Sequence, residues 1–141
     1  MTRADIERRL AEHQAGFIAR SPDDLAAVHA PDGTLESPAH GLVRGRDAIR
    51  DVYKYWYGAF PDFMLTYEPA LVDPPRAAMF WLFEGTASGP FYGDVKPGTR
   101  VKMKGAAEFT FGEAGIISVR HIFDFSGLLV SAGVLKIKPA Q

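Results

Sequence analysis

The spacing of apolar residues changes at Pro61, and no other feature of the sequence limits the fold as strongly. Before Pro61 they recur every three or four positions, as in a helix with one buried face. After Pro61 they alternate, as in a strand. Helices that precede strands are typical of α+β domains. We expect an α+β fold over 1–141, a single domain in which N-terminal helices pack on the concave face of a curved antiparallel or mixed sheet and enclose a pocket.

Three helices are predicted before this change of period, over residues 2–18, 21–30 and 45–58. The second shows a typical start, with a Ser cap and Pro at the first helical position. The predicted strands are 34–37, 63–72, 77–87, 100–111 and 116–124, and a short helix follows over 126–132. Pro69 predicts an edge or a bulge, because proline cannot donate a hydrogen bond to a neighbouring strand.

The composition excludes several kinds of chemistry. The chain has no cysteine, so disulfides, thiolate metal sites and cysteine nucleophiles are absent. The four histidines lack metal-binding spacing and no nucleotide-binding glycine motif occurs, so we expect no metal and no other cofactor. A net charge of −1 gives no field that attracts nucleic acid or an acidic membrane. Without a secretory signal or a long apolar run, we expect a cytoplasmic protein with no membrane partner.

Aromatic residues supply much of the surface that should face the pocket. Trp81 and Phe83 share one face of their strand. Tyr53 and Trp56 share the inner face of the third helix. The sequence leaves open whether such side chains fill a solid core or line a pocket. The predicted pocket residues are His13, Phe17, His40, Tyr53, Trp56, Trp81, Phe83, Phe91, Tyr92, Met103 and Ile122.

Asp124 is the candidate catalytic residue, because it is an acid among apolar neighbours at the end of the last strand. Burial would raise the pKa of its carboxyl group and make it a better base for removing a proton next to a carbonyl. Donors such as Tyr53, Tyr57 or His40 would then stabilise the enolate that forms. The competing interpretation is a helix cap, because Asp124 stands two residues before Ser126.

Four segments of the chain resemble the SnoaL-like polyketide cyclase family of the nuclear transport factor 2-like superfamily. They are SPDDLAAVHAPDGTLESP at 21–38, GRDAIRDVYKYWYGAFPD at 45–62, FEGTASGPFYGDVKPGTRV at 83–101 and HIFDFSGLLVSAGVLKIKP at 121–139. The order and spacing of these segments cover nearly the whole chain. The resemblance implies a cone-shaped fold, no cofactor, and assembly as a homodimer or homotetramer.

The resemblance also implies a reaction. Characterised members close a ring by intramolecular aldol condensation, with a buried aspartate of the last strand as acid and base, and the matching position is Asp124. Two histidine positions of the family are Ile122 and Ala87 here, and His121 is expected to point away from the pocket. We expect an aldol cyclase or ketosteroid-isomerase-like isomerase that takes a proton beside the carbonyl of a small apolar ligand. The alternative is a non-catalytic binding protein for an apolar metabolite.

Overall fold

A computed structural model describes residues 1–140 of the chain. Its helices are α1 at Arg3–Ile18, α2 at Pro22–Ala27, α3 at Arg46–Ala59 and α4 at Phe125–Ser131. Its strands are β1 at His29–Ser37, β2 at Gly41–Arg44, β3 at Met64–Tyr67, β4 at Leu71–Asp73, β5 at Arg76–Thr86, β6 at Arg100–Gly112 and β7 at Gly115–Phe123. Within this part of the chain, no helix has both the length and the apolar character needed to cross a membrane.

The strands join one mixed sheet that curves but does not close. Its order is β2-β1-β7-β6-β5-β3, and β4 pairs with β5. β1 and β7 run parallel, whereas the other neighbouring strands run antiparallel. The buried faces of α1 and α3 pack against the inner side chains of the sheet in one apolar core. The predicted α+β architecture, with N-terminal helices on the concave face, is confirmed.

Most predicted elements are present, but two local predictions need correction. α2 ends at Ala27 rather than near Ala30, because His29 already pairs with β7 as the first residue of β1. The strand at 41–44 was not predicted, since most of its side chains are exposed and show no buried alternation. The interruption predicted at Pro69 is observed, and it separates β3 from β4.

A bulge in β7 decides which of its side chains face the concave side. Thr110 of β6 pairs with Ser118 of β7. The next β6 residue, Phe111, pairs with Ile116, so Ile117 is an extra residue in β7. Because side chains alternate along a strand, one extra residue turns the following side chains to the opposite face. The residues turned inwards are Val119, His121 and Phe123, and those turned outwards are Arg120 and Ile122.

The convex face of the sheet carries an exposed apolar row. Phe80 and Ile122 lie on either side of Ala106 in three neighbouring strands. Their side chains are 67% and 70% exposed. The pocket position predicted for Ile122 is therefore wrong, because this residue pairs with Ala106 and shares its convex face. Exposed apolar rows are typical of surfaces that contact another protein chain. The predicted homodimer or homotetramer stays a prediction.

On the concave face, the indole ring of Trp81 on β5 lies across Gly105 of β6. The ring fills the space that any side chain at position 105 would occupy. Trp81 is 3% exposed, and its indole N–H donates to Nδ1 of His121 on β7 at 3.1 Å. The bare backbone at Gly105 thus lets one indole connect three adjacent strands.

Replacing Gly105 with alanine is expected to lower the free energy of unfolding by about 1–3 kcal/mol, the usual cost of overpacking. The added methyl group overlaps the Trp81 ring, so the hydrogen bond to His121 should be lost as well. Denaturant titration followed by tryptophan fluorescence measures both effects.

Gly58→Ala is the matched control for this substitution. A Cβ at Gly58 in α3 meets no atom within 4 Å among the described residues outside its own helix backbone. That variant should gain roughly 0.5–1 kcal/mol, since alanine favours a helix more than glycine does. Equal stability of the two variants would contradict the close approach of Trp81 to Gly105.

Candidate functional site

A small cavity lies between the concave face of the sheet and helices α1 and α3. Seven residues of its wall belong to the predicted set: Phe17, His40, Tyr53, Trp56, Trp81, Phe83 and Met103. The other wall residues are Leu35, Ser37, Val52, Phe63, Leu65, His121 and Phe123. The apolar stripes of the helices and strands therefore locate much of the wall. Binding of a ligand by these residues stays a prediction.

Four predicted pocket residues lie elsewhere. His13 is fully buried behind the wall. Phe91 is also fully buried, with its ring centroid 4.8 Å from that of Trp56, so it supports the wall from outside. Tyr92 is 44% exposed beside a surface cleft. Ile122 faces outwards from the convex side of the sheet.

Asp124 does not face the cavity, so the expectation of a buried aspartate is wrong. Its exposed side chain caps α4 and accepts hydrogen bonds from the backbone N–H of Gly127 at 2.9 Å and from Oγ of Ser126 at 3.2 Å. β7 has already ended at Phe123. The carboxylate therefore lacks the burial on which its predicted role depended. Among the described residues that line the cavity, none is acidic.

His121 is the polar wall residue that the sequence prediction placed on the wrong face. Its Nδ1 accepts the hydrogen bond from Trp81, so the hydrogen of the neutral ring must sit on Nε2. Burial lowers the pKa of His121 to about 4, with smaller contributions from His40 and His29. The imidazole is therefore uncharged at neutral pH, and its Nε2–H is its remaining hydrogen-bond donor.

His40 and Tyr53 add two further polar groups to the wall. Burial lowers the pKa of His40, against a backbone hydrogen bond with Gly41 that raises it. Within residues 1–140, the buried Nδ1 of His40 has no hydrogen-bond partner. Burial raises the pKa of Tyr53, so its phenol keeps its hydrogen. The residues of the cavity wall thus include an imidazole with an unpaired nitrogen, a phenol O–H and an imidazole N–H.

The cavity is smaller than a usual ligand pocket. It offers about 50 Å³ to water-sized molecules, whereas ligand pockets commonly measure roughly 300–1,000 Å³. A surface cleft of about 430 Å³ lies next to it, and Val52 and Trp56 line both spaces. These two side chains of α3 therefore form the partition between the cavity and the cleft. A ligand larger than a few water molecules requires part of the wall to move.

A family model described as SnoaL-like polyketide cyclase matches residues 8–130. The chain belongs to this family. A steroid Delta-isomerase of Nocardioides simplex is 40% identical over 57 residues, which cover 40% of this chain and 46% of that protein. The match thus spans less than half the length of that curated relative.

Two solved structures show the same fold as this SnoaL-like chain. The crystal structure of AclR from Streptomyces galilaeus aligns with a TM-score of 0.81 at 22% identity, over 98% of this chain and 91% of AclR. A Catenulispora acidiphila protein with a ketosteroid isomerase-like fold, crystallised with trimethylamine, aligns with a TM-score of 0.76 at 18% identity. That alignment covers 89% of this chain and 92% of the Catenulispora protein.

The imidazoles of this SnoaL-like cavity do not come from the two histidine positions that the resemblance implied. Ala87 is fully buried in the core, and Ile122 points away from the cavity. The wall instead contains His40 from the turn after β1 and His121 from β7. The described wall thus contains two uncharged imidazole rings and no acidic side chain.

Val52→Ala is expected to open the partition between the cavity and the cleft. Affinity for 2-naphthol, a flat apolar phenol that fluoresces, should rise by about three- to tenfold, equivalent to roughly 0.6–1.4 kcal/mol. Fluorescence titration measures the dissociation constant. Val43→Ala is the control, because Val43 lines the cleft but not the cavity. An equal gain in both variants would show that the partition does not limit entry.

His121 and His29 are expected to destabilise the folded chain in mild acid. The pKa of each histidine is lowered to about 4, mainly by burial, from the ordinary value of about 6.5. Between these two pH values the unfolded chain binds more protons, so the free energy of unfolding falls as the pH falls. The loss should reach up to roughly 3 kcal/mol for each histidine.

Denaturant unfolding at a series of pH values between about 4 and 7 tests this dependence. His121→Gln should remove one contribution and make the pH dependence shallower. An unchanged slope in this variant would show that His121 titrates normally in the folded chain.

Proposed function

We propose that this chain is a cofactor-independent isomerase or cyclase that moves a proton at the carbon next to a carbonyl group of a small apolar compound. The main support is the meeting of His40, Tyr53 and His121 in the wall of an otherwise largely apolar cavity. The family and the partial similarity to a steroid Delta-isomerase favour these two reaction classes.

Tyr53 and His121 would bind the carbonyl oxygen. The phenol O–H of Tyr53 and the Nε2–H of His121 are donors, and both groups are uncharged because they are buried. Negative charge grows on the carbonyl oxygen as the neighbouring carbon loses its proton. Donors already held in a water-poor cavity stabilise that charge in the transition state.

His40 would be the base, because its Nδ1 has no partner among the described residues. The C–H bond breaks, its electron pair enters the enolate, and Nδ1 takes the proton to give an imidazolium. In an isomerisation, the imidazolium returns this proton to the γ-carbon of the conjugated enolate. In a cyclisation, the enolate carbon bonds to a second carbonyl carbon of the same molecule, and the imidazolium protonates the alkoxide that forms.

A non-catalytic binding protein for an apolar metabolite is the second candidate. The described wall residues include no acid, so an enzyme would depend on His40 alone as its base. This lack of an acid favours the binding protein. Both candidates require binding of a small carbonyl compound, but only the enzyme changes it. Recovery of every bound ketone unchanged after long incubation would favour the binding protein.

Conversion of 3-cyclohexenone into 2-cyclohexenone tests the proposed reaction with a small ketone, which limits the movement that binding requires of the cavity wall. The wild-type chain should accelerate the rise in ultraviolet absorbance of the conjugated product above the rate in buffer. His40→Gln should lower kcat by about 10²–10⁴-fold, the usual contribution of a general base. His121→Gln should lower it by roughly 10–10³-fold, since one donor to the oxygen is lost.

Asp124→Asn is the control for these variants, because this side chain lies outside the cavity. It should turn over the ketone at the wild-type rate, with a small loss of thermal stability at most. Loss of activity in Asp124→Asn, with full activity in His40→Gln, would overturn the assignment of the base.

A further inference from the structure

A row of three hydrogen-bonding side chains lies behind the cavity. His13 of α1 stands at its centre and is fully buried. The Nδ1 atom of His13 lies 2.7 Å from the hydroxyl oxygen of Tyr67 on β3. Its Nε2 atom lies 3.4 Å from the hydroxyl oxygen of Tyr53 on α3. Tyr53 reaches the cavity, whereas His13 and Tyr67 have no part in the reaction described above.

The two hydrogen bonds of the row must run in the same direction, from donor to acceptor, because all three side chains are uncharged. Burial lowers the pKa of His13 well below its ordinary range and raises the pKa of both tyrosines. A neutral imidazole has one N–H donor and one acceptor nitrogen. Either Tyr67 donates to Nδ1 and Nε2–H donates to Tyr53, or both hydrogen bonds run the other way.

The distances and the partners favour the first direction. A separation of 2.7 Å is typical of an O–H donor, whereas N–H donors usually lie about 2.9–3.0 Å from their acceptors. Reversal would also leave the hydroxyl hydrogen of Tyr67 without an acceptor, since the hydrogen bonds of residues 1–140 give it no partner besides His13. In the first direction, the hydrogen left free is that of Tyr53, which faces the cavity.

The surrounding packing holds Tyr67 and His13 in place. The side-chain amide of Gln14 donates to the carbonyl of Leu65 at 2.6 Å and accepts from the backbone N–H of Tyr67 at 3.1 Å. This pair of bonds fixes α1 against β3, next to His13. The ring of Phe109 meets the His13 ring edge-on, with centroids 5.5 Å apart. His13 therefore has little room to turn over and exchange its two nitrogens.

We propose that His13 and Tyr67 are positioning residues that orient the hydroxyl of Tyr53, so that it donates its hydrogen to an oxygen of the bound ligand. Because Nε2–H of His13 occupies the oxygen of Tyr53, that oxygen is a poorer acceptor and its O–H a better donor. The site then prefers ligands with a negatively charged oxygen, such as an enolate or a phenolate, over their protonated forms. This proposal rests on the proposed function for two points, the choice of this cavity as the ligand site and of Tyr53 as a donor to the ligand oxygen.

Binding of 4-nitrophenol tests this preference without requiring turnover. Its absorbance distinguishes phenol from phenolate, so a pH titration gives the pKa of the bound probe. We work above about pH 6.5, where His40 and His121, the other titratable groups of the wall, are uncharged. The wild-type chain should bind the phenolate in preference to the phenol, and Tyr53→Phe should reduce that preference about tenfold or more.

Tyr67→Phe is the decisive variant, because it keeps the ring and lies outside the cavity wall. It should reduce the phenolate preference about three- to tenfold and leave the affinity for nitrobenzene, which has no ionisable oxygen, within about twofold of wild type. Tyr57→Phe is the control, because its hydroxyl contacts the carbonyl of Phe17 and not the row. A wild-type preference in Tyr67→Phe, or equal losses for both probes, would overturn the proposal.

Nitrogen-15 NMR of the wild-type chain, labelled at its histidines, gives an independent test that needs no variant of Tyr67. His13→Gln serves only to assign the His13 signals. The ring should show hydrogen-bearing Nε2 and hydrogen-free Nδ1 at neutral pH. The opposite tautomer would overturn the proposal even if the chain catalyses isomerisation. If the expected tautomer and probe preference appear without any turnover, the inference stands and the proposed reaction fails.

Discussion

The hydrogen bond from Trp81 to His121 is the contact on which the proposed chemistry of the cavity depends. It forms because the indole ring can lie flat across Gly105, where the neighbouring strand has no side chain. The bond holds the ring of His121 and occupies its Nδ1 atom, so this histidine can only donate a hydrogen bond to a ligand. The acceptor role then falls to His40, whose Nδ1 is unpaired within the described chain.

Burial, rather than a pairing of opposite charges, sets the electrostatics of this site. Taking an imidazole or a phenol out of water favours its uncharged form, and His13, His121 and Tyr53 all shift in that direction. A cavity of neutral groups would bind the proposed neutral ketone without first stripping water from a fixed charge. In the proposed proton transfer, a negative charge would appear on the ligand oxygen and a positive charge on the imidazole that receives the proton.

The sequence predicts the architecture well, because helix caps and the change of apolar period are local properties. It also predicts Tyr53 and Trp81 as inner residues, since each lies on the buried stripe of a regular helix or strand. It fails at His121, because the direction of this side chain was judged from Ile122 and Asp124, and Asp124 caps α4 instead of facing the cavity. For Asp124, the helix-cap interpretation was available from the sequence, and the structure bears it out.

The extra residue in β7 has a consequence for how chains of this architecture diverge. Loss of one codon at Ile117 would restore strict alternation along β7 without moving any other side chain to a new face, because Ile116 already pairs with Phe111 and Ser118 with Thr110. His121 would still face the cavity, and Arg120 and Ile122 would still face outwards. Chains with and without the extra residue can therefore place the same side chains in the cavity although their spacing along β7 differs by one. An alignment without a gap at Ile117 would pair side chains that stand on opposite surfaces of this strand.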